Sequence, residues 1–237
     1  MPNVNPHISV DCVIMGFDSK TLKVLLIEKE ESDWKLPEGN KLKLPGNMIY
    51  RDEDLDHSAI RTLTELTGLQ NIIMRQFAVF SDPQRLSPPE DLNWLRRTTG
   101  NFQIDRVVTI AYYALIKLKE VNRTPKTIWC SVEKVPQLIF DHNRIIEKAL
   151  KILRNEIRTK PLCFELLPKK FTIRQMQNAY EAILNEKFDN RNFRKRISNL
   201  KFLTPLHEKE KGVPHKPARL YKFDQKLYQK NNKNKNG

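Results

Sequence analysis

A chain of 237 residues has room for two modest domains, because one hydrophobic core usually serves about 100–200 residues. Its hydrophobic fraction of 39% and charged fraction of 30% are typical of soluble globular proteins, and the absence of any run of about 18 apolar residues excludes a membrane span. The three cysteines lie far apart, in no Cys-x-x-Cys pair and without a His at zinc spacing, so we predict neither disulfides nor a metal site.

The positive charge is concentrated in the C-terminal third of the chain. The formal net charge is +14, and residues 161–237 hold 18 Lys/Arg against 7 Asp/Glu. This asymmetry favours a polyanion-binding segment, with nucleic acid as the first partner and an anionic membrane surface as the second. A merely solvated basic face is the alternative. The N-terminus lacks the features of a secretory signal, so we expect a cytoplasmic protein.

Strand and helix patterns alternate over the first 158 residues. The patterns predict a hairpin at 8–17 and 22–30, a helix at 54–67, strands at 72–80, 106–118 and 126–132, and a helix at 143–158. This alternation is typical of a mixed α/β domain, which we place at residues 1–158. The proline at 161 marks the expected boundary.

A long polar segment interrupts this alternation. Residues 81–103 are too many for an ordinary connection between two strands. We interpret the segment as an insertion over the binding face of the domain, with a loop of no functional consequence as the alternative.

The helix at 54–67 carries a spaced set of charged and small residues. Glu53, Arg61, Leu63, Glu65, Gly68 and Leu69 stand at the separations of the Nudix box. In Nudix hydrolases the helical spacing places several carboxylates on one face, where they hold divalent cations that activate water against a diphosphate. Residues 47–69 therefore resemble that box.

Three positions depart from the box. Asn47 replaces a glycine, and Thr62 and Leu66 replace two of the three helix carboxylates. One remaining carboxylate is a poor site for a hard cation, so we predict no catalytic residue, no metal and no efficient hydrolysis. A fold that has lost its catalytic groups can keep its pocket and sense a ligand instead.

Four residues are the candidates for effector binding in that pocket. They are Glu53, Arg61, Glu65 and Arg106. Arg61 and Glu65 lie four apart on one helical turn, so a purely structural ion pair is the alternative for them. Arg106 precedes a strand and is equally interpretable as a solvated surface residue.

The basic C-terminal segment has the pattern of a winged helix-turn-helix. Thr172 and Gln175 form a capping-box pattern before an amphipathic helix. A second helix begins at Asp189 or Asn190 and exposes basic residues, and an extended pair at 202–206 and 219–223 encloses a basic loop. This order fits a recognition helix followed by a wing. The predicted DNA-binding residues are Arg174, Arg191, Asn192, Arg194, Lys195, Arg196, Lys211, Lys216 and Arg219.

Nearly the whole of residues 8–226 resembles the Nudix-related transcriptional regulators of bacteria. The resemblance rests on the degraded box, the strand at 111–115, Phe171-Thr172-Ile173-Arg174-Gln175-Met176-Gln177 and Arg191-Asn192-Phe193-Arg194-Lys195-Arg196. It implies a Nudix-like α/β/α sandwich with a mixed sheet and a winged helix-turn-helix at 161–228. It further implies a homodimer on a double-stranded, palindromic operator, without a cofactor, and an effector such as arabinose or ADP-ribose. The Lys/Asn-rich composition of residues 229–237 separately predicts a disordered basic tail.

Two other functions remain open from the sequence. The chain could be a Nudix-type hydrolase of nucleoside diphosphate derivatives, with the basic module recruiting nucleic acid. It could also be a structural RNA-binding protein, which would bind without sequence preference and without a small-molecule response.

Overall fold

The computed structural model describes residues 3–29, 42–86, 89–101, 103–118 and 127–233. Across these ranges, no helix combines the length and the apolar character that crossing a bilayer requires. The described residues form a seven-stranded sheet with helices on both faces and a smaller C-terminal unit with its own two-stranded sheet.

The N-terminal domain contains seven strands and three helices among its described residues. Its elements are β1 (Val4–Phe17), β2 (Leu22–Glu28), β3 (Leu42–Lys43), β4 (Gly46–Tyr50), α1 (Leu55–Thr67), β5 (Arg75–Phe80), α2 (Pro89–Thr99), β6 (Val108–Lys117), β7 (Thr127–Ser131) and α3 (His142–Glu156). The predicted strands and both predicted helices are present. Sequence patterns missed β3 and β4, which lie in a stretch punctuated by Pro and Gly, and α2, which lies in the insertion.

The sheet is mixed, as predicted. Its main path runs β3-β2-β1-β6-β5, while β4 pairs with β1 and β7 pairs with β2. The long β1 strand pairs in parallel with β6 over ten residues and antiparallel with β2. The central position of β1 and β6 explains the apolar runs at residues 12–17 and 110–116, because both faces of each strand are covered there.

Alternate residues of the central strands enter two separate cores. Val13 and Met15 of β1 face α3, whereas Cys12 and Ile14 face α1. This division follows from the two-residue period of a strand. The result is the predicted α/β/α sandwich, with α1 on one face and α3 on the other.

The insertion at 81–103 carries helix α2 and a small core of its own. Leu86, Ile104 and Val107 are buried together with Met48, and Leu92 and Leu95 of α2 pack against them. Two polar contacts anchor the helix: the Phe140 N–H donates to Asp91 at 2.6 Å, and Arg96 donates to the Ile104 carbonyl at 2.7 Å. The insertion is therefore a packed element and not a structureless loop.

The C-terminal unit has the helix, helix and hairpin order that the sequence predicts. It consists of α4 (Cys163–Leu166), α5 (Ile173–Leu184), α6 (Asn190–Ser198), β8 (Leu203–Lys209), β9 (Arg219–Phe223) and α7 (Gln225–Lys233). The predicted capping box of Thr172 and Gln175 forms. The prediction of a disordered tail from residue 229 differs from the structure, because residues 229–233 continue α7, which Tyr228 holds against Phe202 and Phe223. Residues 234–237 lie outside the described ranges.

The two units share one hydrophobic core. Leu150 and Leu153 of α3 belong to the same buried cluster as Met176 and Ile183 of α5. Arg154 of α3 donates to the Ile183 carbonyl at 2.9 Å. Helix α3 therefore joins the sandwich to the C-terminal unit.

Candidate ligand cavity and nucleic-acid interface

A cavity of about 330 Å³ opens at one end of the sheet, between β1, the β3–β4 region and α2. Strand β1 contributes Ser9 and Asp11, and the insertion contributes Arg85 and Trp94. The insertion therefore forms one wall of the cavity. Its other lining residues include Glu28, Lys29, Lys43, Leu66, Thr98, Thr109, Phe140 and His142.

Arg85 is the centre of a buried hydrogen-bond network at the cavity floor. Its guanidinium donates to both carboxylate oxygens of Asp141, at 2.7 and 3.2 Å, and to the hydroxyl of Thr109 at 2.5 Å. A second carboxylate, that of Asp11, lies 3.8 Å from the same guanidinium. The side chains of Arg85 and Asp141 are only 3% and 6% exposed, so they form a fully buried ion pair.

Asp11 and His142 are buried beside this pair. Burial raises the pKa of the Asp11 carboxyl and lowers the pKa of His142 to about 3, because both charged forms lose their hydration. The Leu44 N–H donates to Nδ1 of His142, so the neutral ring carries its proton on Nε2, which lies 3.6 Å from Asp11. A Cβ on Gly46 would lie 1.9 Å from the Asp11 carboxylate, so only glycine fits there.

An aromatic and cationic wall faces this network. The ammonium groups of Lys29 and Lys43 lie 4.9 and 5.7 Å from the ring centre of Trp94, within the range of cation–π attraction. Burial lowers the pKa of Lys43. Among the described residues, the Trp94 indole N–H has no hydrogen-bond partner. Cationic groups, an aromatic surface and a spare donor suit a ligand that carries both anionic groups and a ring.

The four predicted effector residues do not line this cavity. Arg61 instead binds Glu53 at 2.5 and 2.8 Å and Glu65 at 3.0 Å, and its guanidinium stacks on Tyr50 at 3.7 Å. The hydrogen bonds from Arg61 lower the pKa of Glu53 to about 2. This cluster fastens α1 to the preceding loop, which corresponds to the structural alternative for Arg61 and Glu65. Arg106 is exposed and donates to the Ser81 carbonyl at 3.1 Å.

The two box positions at which a helix carboxylate is replaced differ in their surroundings. Thr62 is completely buried, and its hydroxyl has no partner among the described residues. Leu66 lines the cavity. Within the part of the chain that the structure describes, no three His, Cys, Asp or Glu side chains converge on a possible metal position.

A second, larger groove lies on the C-terminal unit between α5, α6 and the β8–β9 hairpin. Four of the predicted DNA-binding residues line it: Arg174, Arg194, Lys216 and Arg219. All four are exposed, whereas Phe193 and Ile197 of α6 are buried. Helix α6 therefore rests on its apolar face and presents its basic face to solvent.

The other predicted DNA-binding residues lie around this groove or away from it. Arg191, Asn192, Lys195 and Lys211 are exposed but do not line the groove. Arg196 lines a different cavity, beside Tyr180 and Tyr228. The structure therefore separates Arg196 from the residues that a ligand in the groove could contact.

Sequence reasoning missed the cavity residues Asp11, Lys43, Arg85, Trp94 and His142. A signal existed for Asp11, a carboxylate in the otherwise apolar strand sequence Val10-Asp11-Cys12-Val13. The partners of Arg85 lie 24 and 56 residues away along the chain, and no local pattern reveals such pairs.

Comparison with known proteins gives a match for the C-terminal unit alone and for almost the whole chain. Residues 163–223 match the family described as the NrtR DNA-binding winged helix domain. The ADPR responsive transcriptional repressor NtrR of Acinetobacter baylyi is 27% identical over 227 residues, which cover 92% of this chain and 82% of that relative. An ADP-ribose pyrophosphatase of Methanocaldococcus jannaschii is 23% identical over 151 residues, covering 62% and 75% of the two chains.

A solved structure reproduces both units. The crystal structure of Shewanella oneidensis NrtR complexed with a 27mer DNA superimposes with a TM-score of 0.69 at 22% identity, covering 91% of this chain and 93% of that one. The predicted fold class is therefore confirmed: a Nudix-like domain with a mixed sheet precedes a winged helix domain. The predicted resemblance to Nudix-related transcriptional regulators is likewise confirmed.

Proposed function

We propose, from the similarity of this chain to Nudix-related transcriptional regulators, that it is a DNA-binding transcriptional regulator and that its Nudix-like domain senses an ADP-ribose-type nucleotide. The observation that carries the proposal is the basic groove, where Arg174, Arg194, Lys216 and Arg219 converge within a segment that matches a DNA-binding family. Exposed cations on a helix and an adjacent wing can contact bases and phosphates together.

The effector proposal rests on the chemistry of the cavity and on one relative. ADP-ribose carries a diphosphate and an aromatic base, which match the cationic groups and the Trp94 surface of the cavity. The Acinetobacter relative is named for its response to ADPR. No comparison supports a sugar such as arabinose, so we retain ADP-ribose as the proposed effector.

We assign the DNA contacts by position. Arg194 and Lys195 of α6 contact base edges, Arg174, Arg191, Asn192 and Arg219 contact the groove edge or phosphates, and Lys211 and Lys216 of the wing contact phosphates. Arg196 is the weakest member of the set, because it lines another cavity. Glu53, Arg61 and Glu65 support the effector domain by fixing α1, and Arg106 remains the one predicted effector residue without a role in that cluster.

The regulator is proposed to act as a homodimer without catalytic activity. A two-fold dimer presents two α6 helices to successive major grooves, about one helical turn apart on a palindromic operator. Sedimentation of the free protein and of its DNA complex tests this: a monomer in both states excludes the dimer.

The first experiment is binding to DNA from upstream of its own gene, at about 0.15 M salt with competitor DNA. We expect a sequence-specific complex whose affinity changes with ADP-ribose and not with arabinose, because linked sites influence each other. The variant Arg194→Ala should weaken this complex, whereas Lys151→Ala, which removes an exposed cation on α3, should leave its affinity unchanged. Equal affinity for all DNA, with no ligand response, would support the RNA-binding alternative instead.

Hydrolysis is the second candidate function, favoured by the similarity to an ADP-ribose pyrophosphatase. Incubation with ADP-ribose and magnesium distinguishes it from the regulator. We expect no turnover, because Thr62 and Leu66 supply no carboxylate. A rate of about 1 per second or more would establish the enzyme.

A further inference from the structure

Arg85 is bound to the cavity floor by a partner that belongs to another element. Arg85 lines the cavity, yet the shortest carboxylate contact of its guanidinium is with Asp141, which directly precedes α3. The fork of an arginine binds a carboxylate and a phosphate with the same geometry. An anionic group that enters the cavity therefore competes with Asp141 for Arg85.

Asp141 is also the residue best placed to cap α3. It occupies the N-cap position, but its side chain makes no capping hydrogen bond, and its ψ of 24° is not extended. The caps of α1, α5 and α6, which are Asp54, Thr172 and Asp189, all have extended backbones and accept a hydrogen bond from the third helical residue. Helix α3 is the exception among these four because Arg85 holds its cap residue elsewhere.

The backbone in front of α3 is strained. Phe140 has a φ of 54°, which is uncommon for a bulky residue. The Asp91 carboxylate of α2 holds the Phe140 N–H at 2.6 Å, and Arg85 holds the next residue. The insertion thus forms hydrogen bonds to two adjacent residues before α3. Backbone strain of this kind is found in switch regions.

The other end of α3 reaches the winged helix domain. Arg154 donates to the Ile183 carbonyl at 2.9 Å, and Arg158, just beyond the helix, pairs with Glu186 at 3.1 Å. Ile183 lies in the last turn of α5, the helix that packs against α6, and Glu186 lies two residues beyond the end of α5. Helix α3 therefore connects the cavity directly to the C-terminal unit, so a change at its start can be transmitted along the helix to that unit.

We propose that Arg85 is an anion-binding residue of the cavity and that it exchanges Asp141 for the diphosphate of the ligand, which frees Asp141 to cap α3. This inference rests on the proposed function. It names Asp141 as the residue through which ligand binding in the cavity affects the winged helix domain. The two states of Asp141, paired with Arg85 or capping α3, are the alternatives that the ligand shifts.

Binding measurements test the anion contact. The probes are ADP-ribose and inorganic pyrophosphate, titrated calorimetrically into the full chain. Arg85→Gln should lower the affinity for both probes by about 10- to 100-fold, the range for a lost charged hydrogen bond. The affinity of Arg85→Lys should lie between those of Arg85→Gln and the wild type, because lysine keeps the charge but cannot form two parallel hydrogen bonds. Thermal melting establishes that each variant is folded.

The variant Asp141→Asn keeps the ability to cap α3 but removes the ion pair with Arg85. Asn caps helices as well as Asp does but cannot pair with Arg85, so this variant should bind ADP-ribose several-fold more tightly than the wild type. Asp105→Asn removes an exposed carboxylate that does not line the cavity, and it should leave the affinity unchanged.

Hydrogen exchange at the Asn143 and Arg144 amides supplies a readout that charge alone would not move. We expect slow exchange in wild-type protein with ADP-ribose and in Asp141→Asn without it, but fast exchange in Asp141→Ala in both conditions. Fast hydrogen exchange in the liganded wild type, or an unchanged affinity of Arg85→Gln for ADP-ribose, would overturn the proposal that the ligand replaces Asp141. The proposed function would still stand if the operator complex depended on ADP-ribose. If ADP-ribose does not bind but pyrophosphate binds through Arg85, the proposed effector fails and the Arg85 assignment stands.

Discussion

The cavity of the Nudix-like domain and the groove of the winged helix domain both collect positive charge, but they do so in opposite ways. In the cavity, Arg85 is buried and bound to Asp141, so its charge is matched before any ligand arrives. In the groove, Arg174, Arg194, Lys216 and Arg219 are exposed on one surface. A buried, matched charge can act as a selective switch, whereas exposed charges provide attraction that salt weakens.

The tightest packing around the cavity gives the largest expected effect. Gly46→Ala would place a Cβ 1.9 Å from Asp11 and 2.9 Å from the Val10 carbonyl. We expect it to lower the free energy of unfolding by roughly 2–3 kcal/mol, as overpacking does. Denaturant unfolding measures this.

The matched control lies in the winged helix domain. Gly212 has a φ of 69°, but an added Cβ there meets no atom within 4 Å. Gly212→Asn should cost far less, because Asn tolerates that backbone conformation. Equal losses for the two variants would contradict the close packing around Asp11.

The Glu53–Arg61 pair gives the next largest effect, as a dependence of stability on pH. The pKa of Glu53 is about 2 in the folded protein and near 4.5 ordinarily. The pair therefore contributes fully to the free energy of unfolding above pH 4.5, and this contribution disappears as the pH falls towards 2. We expect Glu53→Gln to lose about 1–3 kcal/mol at pH 7 and much less near pH 2, measured by urea unfolding across this range. A difference that does not depend on pH would refute the pairing.

Helix α6 gives an effect of similar size, which we expect to depend on the DNA sequence. Arg194→Ala should weaken operator binding by roughly 1–3 kcal/mol and reduce discrimination at one base pair if the side chain reads a base. Fluorescence anisotropy with single-base operator variants tests both. Equal weakening on all sequences would assign Arg194 to phosphate instead.

The wing gives the smallest effect, which is visible mainly in salt dependence. Lys211→Ala and Lys216→Ala should each lower the slope of log affinity against log salt by about 1, without changing sequence preference. Titrations between low and moderate salt measure the slope. An unchanged slope for either variant removes that lysine from the DNA interface.

The same contrast explains what the sequence could predict. The winged helix domain was predictable in its element order because capping, helical periodicity and charge counts are local signals, as Thr172, Phe193 and Ile197 illustrate. The cavity was not predictable from the sequence, because the role of Arg85 depends on its contacts with Thr109 and Asp141, which lie far along the chain. For Arg61, the sequence allowed both a ligand contact and an ion pair, and only the fold shows the pair.

Helix α2 illustrates the same limit from another side. The sequence indicated a long polar insertion over the binding face, and the structure places it at the cavity wall. Its helix was not predicted, because its apolar contacts Leu92 and Leu95 pack on residues from β4 and from beyond the insertion. A short helix of this kind depends on tertiary packing more than on its own propensity.

The complete burial of Thr62 determines what a carboxylate at this position would cost. The residue stands where the Nudix box has a glutamate, but it lies inside the protein, and its hydroxyl has no partner among the described residues. The single substitution Thr62→Glu would bury a carboxylate without a partner, at a cost of several kcal/mol. A glutamate at this position therefore requires that the packing around α1 open first, so the substitution of Thr62 alone cannot supply an accessible carboxylate.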